Sequence, residues 1–287
     1  MATLNDFNSP FLPTWCPGCG NFAIWTCLKQ ALVDKGLGPL DVNLCFDIGC
    51  NGNGADKINA YVFKGLHGRT IPLAAGISIG NHKLPVVGIA GDGGTFDEGI
   101  NHLIHAIRSN YKFLFILHNN CDFGLTTGQA TPTTPQGQKM NSAPYGVVET
   151  RLNPGQLVLT AGASFYARGF TGNIPQLKEL IKKGLEHNGF AFLEVLQHCP
   201  TYNKFQDHVY LNSRVYDINT TPDYVNDKQK AYELVDYANE KIATGVLYQD
   251  PQSIAYYDRL EKRKGITSSL KDEVKVYDIM ENIKEFI

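Results

Sequence analysis

Five short, almost uninterrupted apolar runs constrain this chain more than anything else in it. They are residues 42–48 (VNLCFDI), 85–90 (PVVGIA), 113–118 (FLFILH), a run within 157–166, and 190–196 (FAFLEVL). Runs of this length, rich in β-branched and aromatic residues, suit strands buried on both faces. Helical periodicity lies between them. Ile24, Cys27, Leu28, Ala31 and Leu32 repeat at 3.6 residues, as do Ile100, Leu103, Ile104 and Ile107, and Ile174, Leu177, Leu180, Ile181 and Leu185. Strand–helix alternation predicts an α/β fold, a doubly wound parallel sheet with helices on both faces.

In such a sheet, ligands bind beyond the carboxyl ends of the strands. The unusual loops of this chain all follow strands: Gly49-Cys50-Asn51-Gly52, Gly91-Asp92-Gly93-Gly94, Asn119-Asn120-Cys121-Asp122 and His198-Cys199-Pro200. They are expected to meet on one edge. The chain divides by composition. All seven cysteines and all but two of the 28 glycines precede residue 201, whereas the last 87 residues hold half of the charged ones. The expected organisation is a ligand-binding domain over 1–204 and a charged C-terminal extension over 205–287, whose helical pattern (Ala231, Leu234, Val235, Ala238) suits either clasping a partner or capping the body. A formal net charge of −2 argues against nucleic-acid binding. No apolar stretch is long enough to span a membrane, and no secretory leader is evident at the start. Seven cysteines in a chain this long read as metal ligands or core thiols of a cytoplasmic protein rather than as a disulfide framework.

Two constellations carry chemistry. In Trp15-Cys16-Pro17-Gly18-Cys19-Gly20, the Pro-Gly pair forces a tight turn that aims both thiols one way. Cys50 and Cys199, at strand ends, are the candidates to complete a four-thiolate site. Cys27 and Cys45 lie on core stripes, and Cys121 is ambiguous. Four thiolates fit zinc or [4Fe–4S] alike. The second constellation is Gly91-Asp92-Gly93 with Asn119-Asn120. Glycines allow backbone N–H groups close to a phosphate, and a carboxylate with an amide oxygen can hold Mg²⁺ on a diphosphate. Asp92 and Asn120 are 28 residues apart, room for one helix and one strand, so both return to the same edge. The pairing points to thiamine diphosphate. His67 and Arg69, in Gly65-Leu66-His67-Gly68-Arg69, are candidates to contact cofactor or substrate; a surface-loop reading of them is equally open.

With these motifs in this order, together with Asn-His-Leu-Ile-His-Ala-Ile-Arg (101–108), Gly-Leu-Thr-Thr-Gly-Gln (124–129) and Cys-Pro-Thr-Tyr-Asn (199–203), the chain resembles the β subunit of 2-oxoacid:ferredoxin oxidoreductases over roughly its first 205 residues. The resemblance implies the thiamine diphosphate-binding fold and coenzyme A-dependent oxidative decarboxylation of a 2-oxoacid, with electrons passed through a cluster to ferredoxin. It implies a [4Fe–4S] cluster on Cys16, Cys19, Cys50 and Cys199, and Mg²⁺ on Asp92, Asn120 and the backbone carbonyl near Asp122. It places the cofactor among Ile48, Gly49, Cys50, Asn51, His67, Gly91, Asp92, Gly93, Asn120 and the loop Gly124, Leu125, Thr126, Thr127. It implies an α subunit that supplies the pyrimidine-binding domain, since no second domain of that size is present here. The sequence departs from the family at Gly94, often acidic in relatives, and at Thr127, often lysine, and its segment Asn51-Gly52-Asn53-Gly54 lacks the basic or serine-rich character of some members. The alternatives are a non-redox thiamine diphosphate-dependent decarboxylase subunit with a structural four-cysteine zinc site, and a non-catalytic metal-stabilised scaffold.

Overall fold

In a computed structural model of the chain, residues 2–222, 224–275 and 278–286 are described. The apolar runs become strands β1 (Asn43–Phe46), β3 (Val86–Gly91), β4 (Phe113–Asn119) and β6 (Phe190–Leu196). Every residue of β1, β4 and β6 is buried. Four further strands complete the sheet: β2 (Tyr61–Lys64), β5 (Phe165–Phe170), β7 (Val215–Asp217) and β8 (Ile242–Gln249).

The order is β2-β1-β3-β4-β6-β5-β8-β7, and every neighbouring pair is parallel except β5 with β8. The sheet is therefore mixed but mostly parallel, as the doubly wound expectation required. β8 builds part of the charged C-terminal stretch into the sheet. Apolar side chains form one core on each face: Phe115, Tyr166, Phe190 and Phe192 on one, Leu44, Ile116, Leu180 and Leu193 on the other. Each such fully buried side chain is worth about 1.5–3 kcal/mol.

The helices are α1 (Asn21–Asp34), α2 (Thr70–Gly80), α3 (Ile100–Ser109), α4 (Pro154–Thr160) and α5 (Ile174–Glu186), with shorter ones beyond. Local chemistry sets their ends. Asn173 caps α5 by accepting from Gln176 N–H, with Pro in the first turn, and α3 stops at Asn110, which is left-handed. One expectation fails. Within 157–166, the residues up to Thr160 are helix α4 and the strand begins only at Phe165. Asn153, which accepts from Gln156 N–H, and Pro154 start that helix, and their capping outweighs the apolar run behind them.

From β1 the chain moves outward to β2, then crosses back to β3 on the other side of β1. The order reverses between β1 and β3, which opens a crevice at their carboxyl ends. Gly49–Asn51 follow β1 on that edge and Asp92 follows β3.

Candidate active site

A cavity of about 360 Å³ opens at this switch point. Its walls are the loops after β1, β3 and β4: Ile48, Gly49, Cys50 and Asn51, then Gly91, Asp92 and Gly93, then Asn120, Asp122, Gly124, Leu125 and Thr126. His67 closes one side. Two predicted residues do not line it. Thr127 lies in the turn that donates its N–H to Gly124 O, and Arg69 turns away to donate to the Glu98 carbonyl at 2.8 Å.

The cavity floor is an oxygen cluster. Asp92 is 1% exposed; its Oδ2 accepts from the hydroxyls of Thr131 and Thr133, each at 2.5 Å. Its Oδ1 faces the side-chain amide of Asn120 at 2.9 Å, and the same amide atom lies 3.0 Å from the backbone oxygen of Asp122. With the amide nitrogen inward, Asn120 donates to both. With the oxygen inward, three acceptors converge with no proton between them, and only a cation reconciles them. Adjacent oxygens of a Mg²⁺ octahedron with bonds of 2.0–2.1 Å stand about 2.9 Å apart. The spacing fits that ion. Asn203 fixes the loop by donating Nδ2–H to the Asn120 carbonyl at 2.7 Å. Burial pushes the Asp92 carboxyl up to about 6, the direction a bound cation would reverse.

The Cys16–Cys19 segment closes as a turn, with Cys19 N–H donating to Cys16 O and Gly18 at positive φ. His198 Nε2 meets Gly18 O at 2.6 Å and the Trp15 indole donates to Cys50 O at 2.7 Å, so three separate loops are tied together. Their thiols share one neighbourhood: the charges of Cys16 and Cys199 act on both Cys19 and Cys50. Burial first, then these neighbours, pushes Cys19 up to about 11 and Cys50 up to about 12. Cys50 also lines the cavity, so thiol group and oxygen cluster adjoin. Cys27 and Cys45 are fully buried in the core. Cys121 is buried too, 3.3 Å from Arg151 and outside the thiol group.

Four participants escaped the sequence reading. Glu98 pairs with His67 Nδ1 at 2.9 Å, while Asn21 at the start of α1, His118 in β4 and Gln197 just past β6 line the cavity. His118 meets Asn21 at 2.8 Å, and burial pushes it down to about 3, so it is neutral. A polar residue interrupting an apolar strand, as His118 does in FLFILH, was the available signal. Asp122 adds a carboxyl whose two oxygens have no partner; burial, then Asp92, pushes it up to about 7.

Comparison with known proteins agrees with this geometry. Residues 47–195 match the family described as thiamine pyrophosphate enzyme, C-terminal TPP binding domain, and residues 199–265 match the family described as the C terminal of the pyruvate ferredoxin oxidoreductase beta subunit. A 2-oxoacid:ferredoxin oxidoreductase subunit beta of Saccharolobus solfataricus is 36% identical over 93% of this chain and 90% of its own length. A 2-oxoglutarate synthase subunit KorB of Methanocaldococcus jannaschii is 38% identical over 66% of this chain and 70% of its own. Among solved structures, a 2-oxoglutarate:ferredoxin oxidoreductase from Magnetococcus marinus, with 2-oxoglutarate, coenzyme A and succinyl-CoA bound, superposes with a TM-score of 0.87 at 30% identity, over 99% of this chain and 96% of that one. A sheet crevice floored by converging oxygens, and relatives alike along nearly the whole chain, lead to one conclusion: the chain belongs to the β subunits of the 2-oxoacid:ferredoxin oxidoreductases.

Proposed function

We propose that this chain is the cofactor-bearing subunit of an enzyme that oxidatively decarboxylates a 2-oxoacid to its coenzyme A ester and CO₂. Thiamine diphosphate, when bound, supplies the carbanion chemistry, and the protein orients it. One observation carries the reading: Asp92 Oδ1, the Asn120 side chain and Asp122 O meet at 2.9–3.0 Å on the floor of a cavity that Cys50 also lines. Asp92 and Asn120, with the Asp122 carbonyl, would hold Mg²⁺ under the diphosphate. Gly91 and Gly93 line the floor on either side of Asp92, and Ile48–Asn51 and Gly124–Thr126 flank the cofactor.

Cys16, Cys19, Cys50 and Cys199 would hold the [4Fe–4S] cluster that accepts electrons for ferredoxin. The thiols' shared neighbourhood, together with relatives named as ferredoxin oxidoreductase subunits, supports a redox cluster over a structural zinc. His67, at the cavity wall, is the proposed catalytic contact to substrate. Arg69 serves it indirectly, through the Glu98 carbonyl. An α subunit would bring the pyrimidine-binding domain.

Anaerobic purification and assay test this reading. The chain should carry about four irons and an absorbance that dithionite bleaches, and Cys199→Ser should lose both while Cys27→Ser keeps them. The chain alone should not turn over any 2-oxoacid; turnover should appear when the α subunit is added. Retention of full iron by Cys199→Ser sinks the cluster assignment, and turnover by the chain alone sinks the subunit assignment.

A further inference from the structure

The turn between Asn120 and Asp122 is strained. Cys121, which makes it, has a φ of 56°, in the left-handed region. Residues with a Cβ seldom adopt that conformation, and they keep it only where their surroundings over-determine it. The turn brings the Asn120 side chain within 3.0 Å of the Asp122 backbone oxygen, facing Asp92 Oδ1.

The surroundings that hold the turn meet at one side chain. Cys121 is 1% exposed. Its thiol donates to Gln206 Oε1 at 3.2 Å, and its sulfur accepts from Arg151 Nη2 at 3.3 Å. Its backbone oxygen accepts from the Thr134 hydroxyl at 2.8 Å. Arg151 also reaches the other half of the oxygen cluster. Its Nε donates to Thr133 O at 2.6 Å, and the Thr133 hydroxyl donates to Asp92. One guanidinium thus ties the loop that holds Asp92 to the loop that carries Asn120 and Asp122. The guanidinium is itself held from the C-terminal extension. The Tyr237 ring lies against it, 3.8 Å from centroid to Cζ, and Gln206 Oε1 accepts from its Nη2 at 3.4 Å. Gln206 N–H donates to Asn203 Oδ1 at 2.9 Å, and Asn203 holds the Asn120 carbonyl. Cys121, Arg151, Gln206 and Tyr237 all stand behind the cavity wall rather than in it.

We propose that Cys121 is a positioning residue for the metal: its thiol, gripped by Arg151 and Gln206, pins the left-handed turn that directs Asn120 and the Asp122 carbonyl toward Asp92, and through Gln206 and Tyr237 the grip makes the C-terminal extension a working part of the cofactor site. The inference rests on the reading of the oxygen cluster as a Mg²⁺ site, but the pinning of the turn can be measured without cofactor.

The test compares Cys121→Ala, which cuts the thiol contacts and keeps the strained backbone, with Cys121→Ser, which keeps a donor and an acceptor in place. Arg151→Lys keeps the charge and loses the fork, and Tyr237→Leu removes the ring on the extension side. Hydrogen exchange over residues 119–124 in the cofactor-free full chain reads the turn. Calorimetry of thiamine diphosphate over a range of Mg²⁺ concentrations, on the enzyme assembled with its α subunit, reads the metal. In Cys121→Ala the exchange should speed up about tenfold. Its Mg²⁺ half-saturation should rise roughly 10–100-fold, as on losing an outer contact to a metal ligand, while Cys121→Ser stays within about threefold of the parent. Arg151→Lys and Tyr237→Leu should move both readouts the same way. Cys121→Ala with Arg151→Lys should be no worse than the worse single change, because both cut one link. A purely structural cysteine would lower the denaturation midpoint and leave Mg²⁺ half-saturation alone. Either readout left at the parental value by Cys121→Ala overturns the proposal; should that variant fail to fold, Arg151→Lys and Tyr237→Leu decide it by the same two readouts. If the parent binds no thiamine diphosphate at any Mg²⁺ concentration, the Mg²⁺ reading falls, and the exchange measurement still decides whether the thiol pins the turn.

Discussion

At the scale of single residues, Asp92 joins most of the site. One carboxylate oxygen gathers the Thr131 and Thr133 hydroxyls, and the other meets the Asn120 side chain. Asp92→Ala removes the only side-chain carboxylate of the oxygen cluster and leaves two buried hydroxyls without their acceptor. A hard divalent cation held by one carboxylate loses its main protein charge. Loss of outer contacts to a metal ligand already costs 10–100-fold in affinity, so removing the ligand itself should weaken thiamine diphosphate and Mg²⁺ binding by about a hundredfold or more. Calorimetry measures this directly. The iron content should be retained, since the thiols stand on other loops. Parental affinity would reduce Gly-Asp-Gly to a plain turn. The sequence revealed Asp92 and Asn120 because glycines and amides at strand ends are conspicuous. It hid the role of Cys121, whose partners Arg151 and Gln206 lie 30 and 85 residues away.

At the scale of elements, the carboxyl half of the sheet is held by a buried polar lattice. Arg168 on β5 lies directly across from Glu194 on β6, and its Nε donates to Glu194 Oε2 at 2.9 Å. Glu194 also accepts from the Tyr166 hydroxyl and, at 2.7 Å, from Asn119 at the end of β4. Burial works to raise the Glu194 carboxyl, but Arg168 and these hydrogen bonds outweigh it, and it lies below its ordinary value. Three strands are thus locked in register immediately before the Asn120 loop. Arg168→Met leaves a fully buried carboxylate uncompensated, and the expected loss is about 3–5 kcal/mol. Adding Glu194→Gln should recover much of it. Urea denaturation of the single and double variants measures both; equal stability of the single variant and the parent would refute the account.

At the scale of the whole molecule, acid sensitivity follows from histidines buried in neutral form. His187, at the opposite end of the sheet from the cavity, meets Ser164 Oγ at 2.8 Å, and burial pushes it down from 6.5 to about 4. The unfolded chain takes up that proton near pH 6.5 and the folded one only near pH 4. The folded state is therefore favoured in full above pH 6.5 and loses this contribution as the pH falls toward 4. The steepest slope from one such group is about 1.4 kcal/mol per pH unit. His187→Gln should flatten the decline in denaturation midpoint across that window, and an unchanged slope would assign the acid sensitivity elsewhere.

The sequence by itself determined the strand–helix alternation, the central strands and the segments that carry the chemistry. Those properties are local: an apolar run, a Pro-Gly between thiols and an Asp between glycines act over a few residues. Less was legible where local signals compete. Capping by Asn153 and Pro154 turned the first part of the fourth apolar run into helix, and β2 is only four residues long and largely exposed, too short for its Tyr-Val-Phe to read as a strand of the sheet. Strand β8, between β5 and the edge strand β7, could not be read either, because its antiparallel pairing with β5 depends on how the chain returns. Tertiary structure alone decided that His67 faces the cavity and Arg69 does not, that Arg151 reaches Cys121 in the Asn120 loop, and that Arg168 meets Glu194. Each of these depends on which strands become neighbours, and that is settled by burying both faces of the sheet at once rather than by any short stretch of chain.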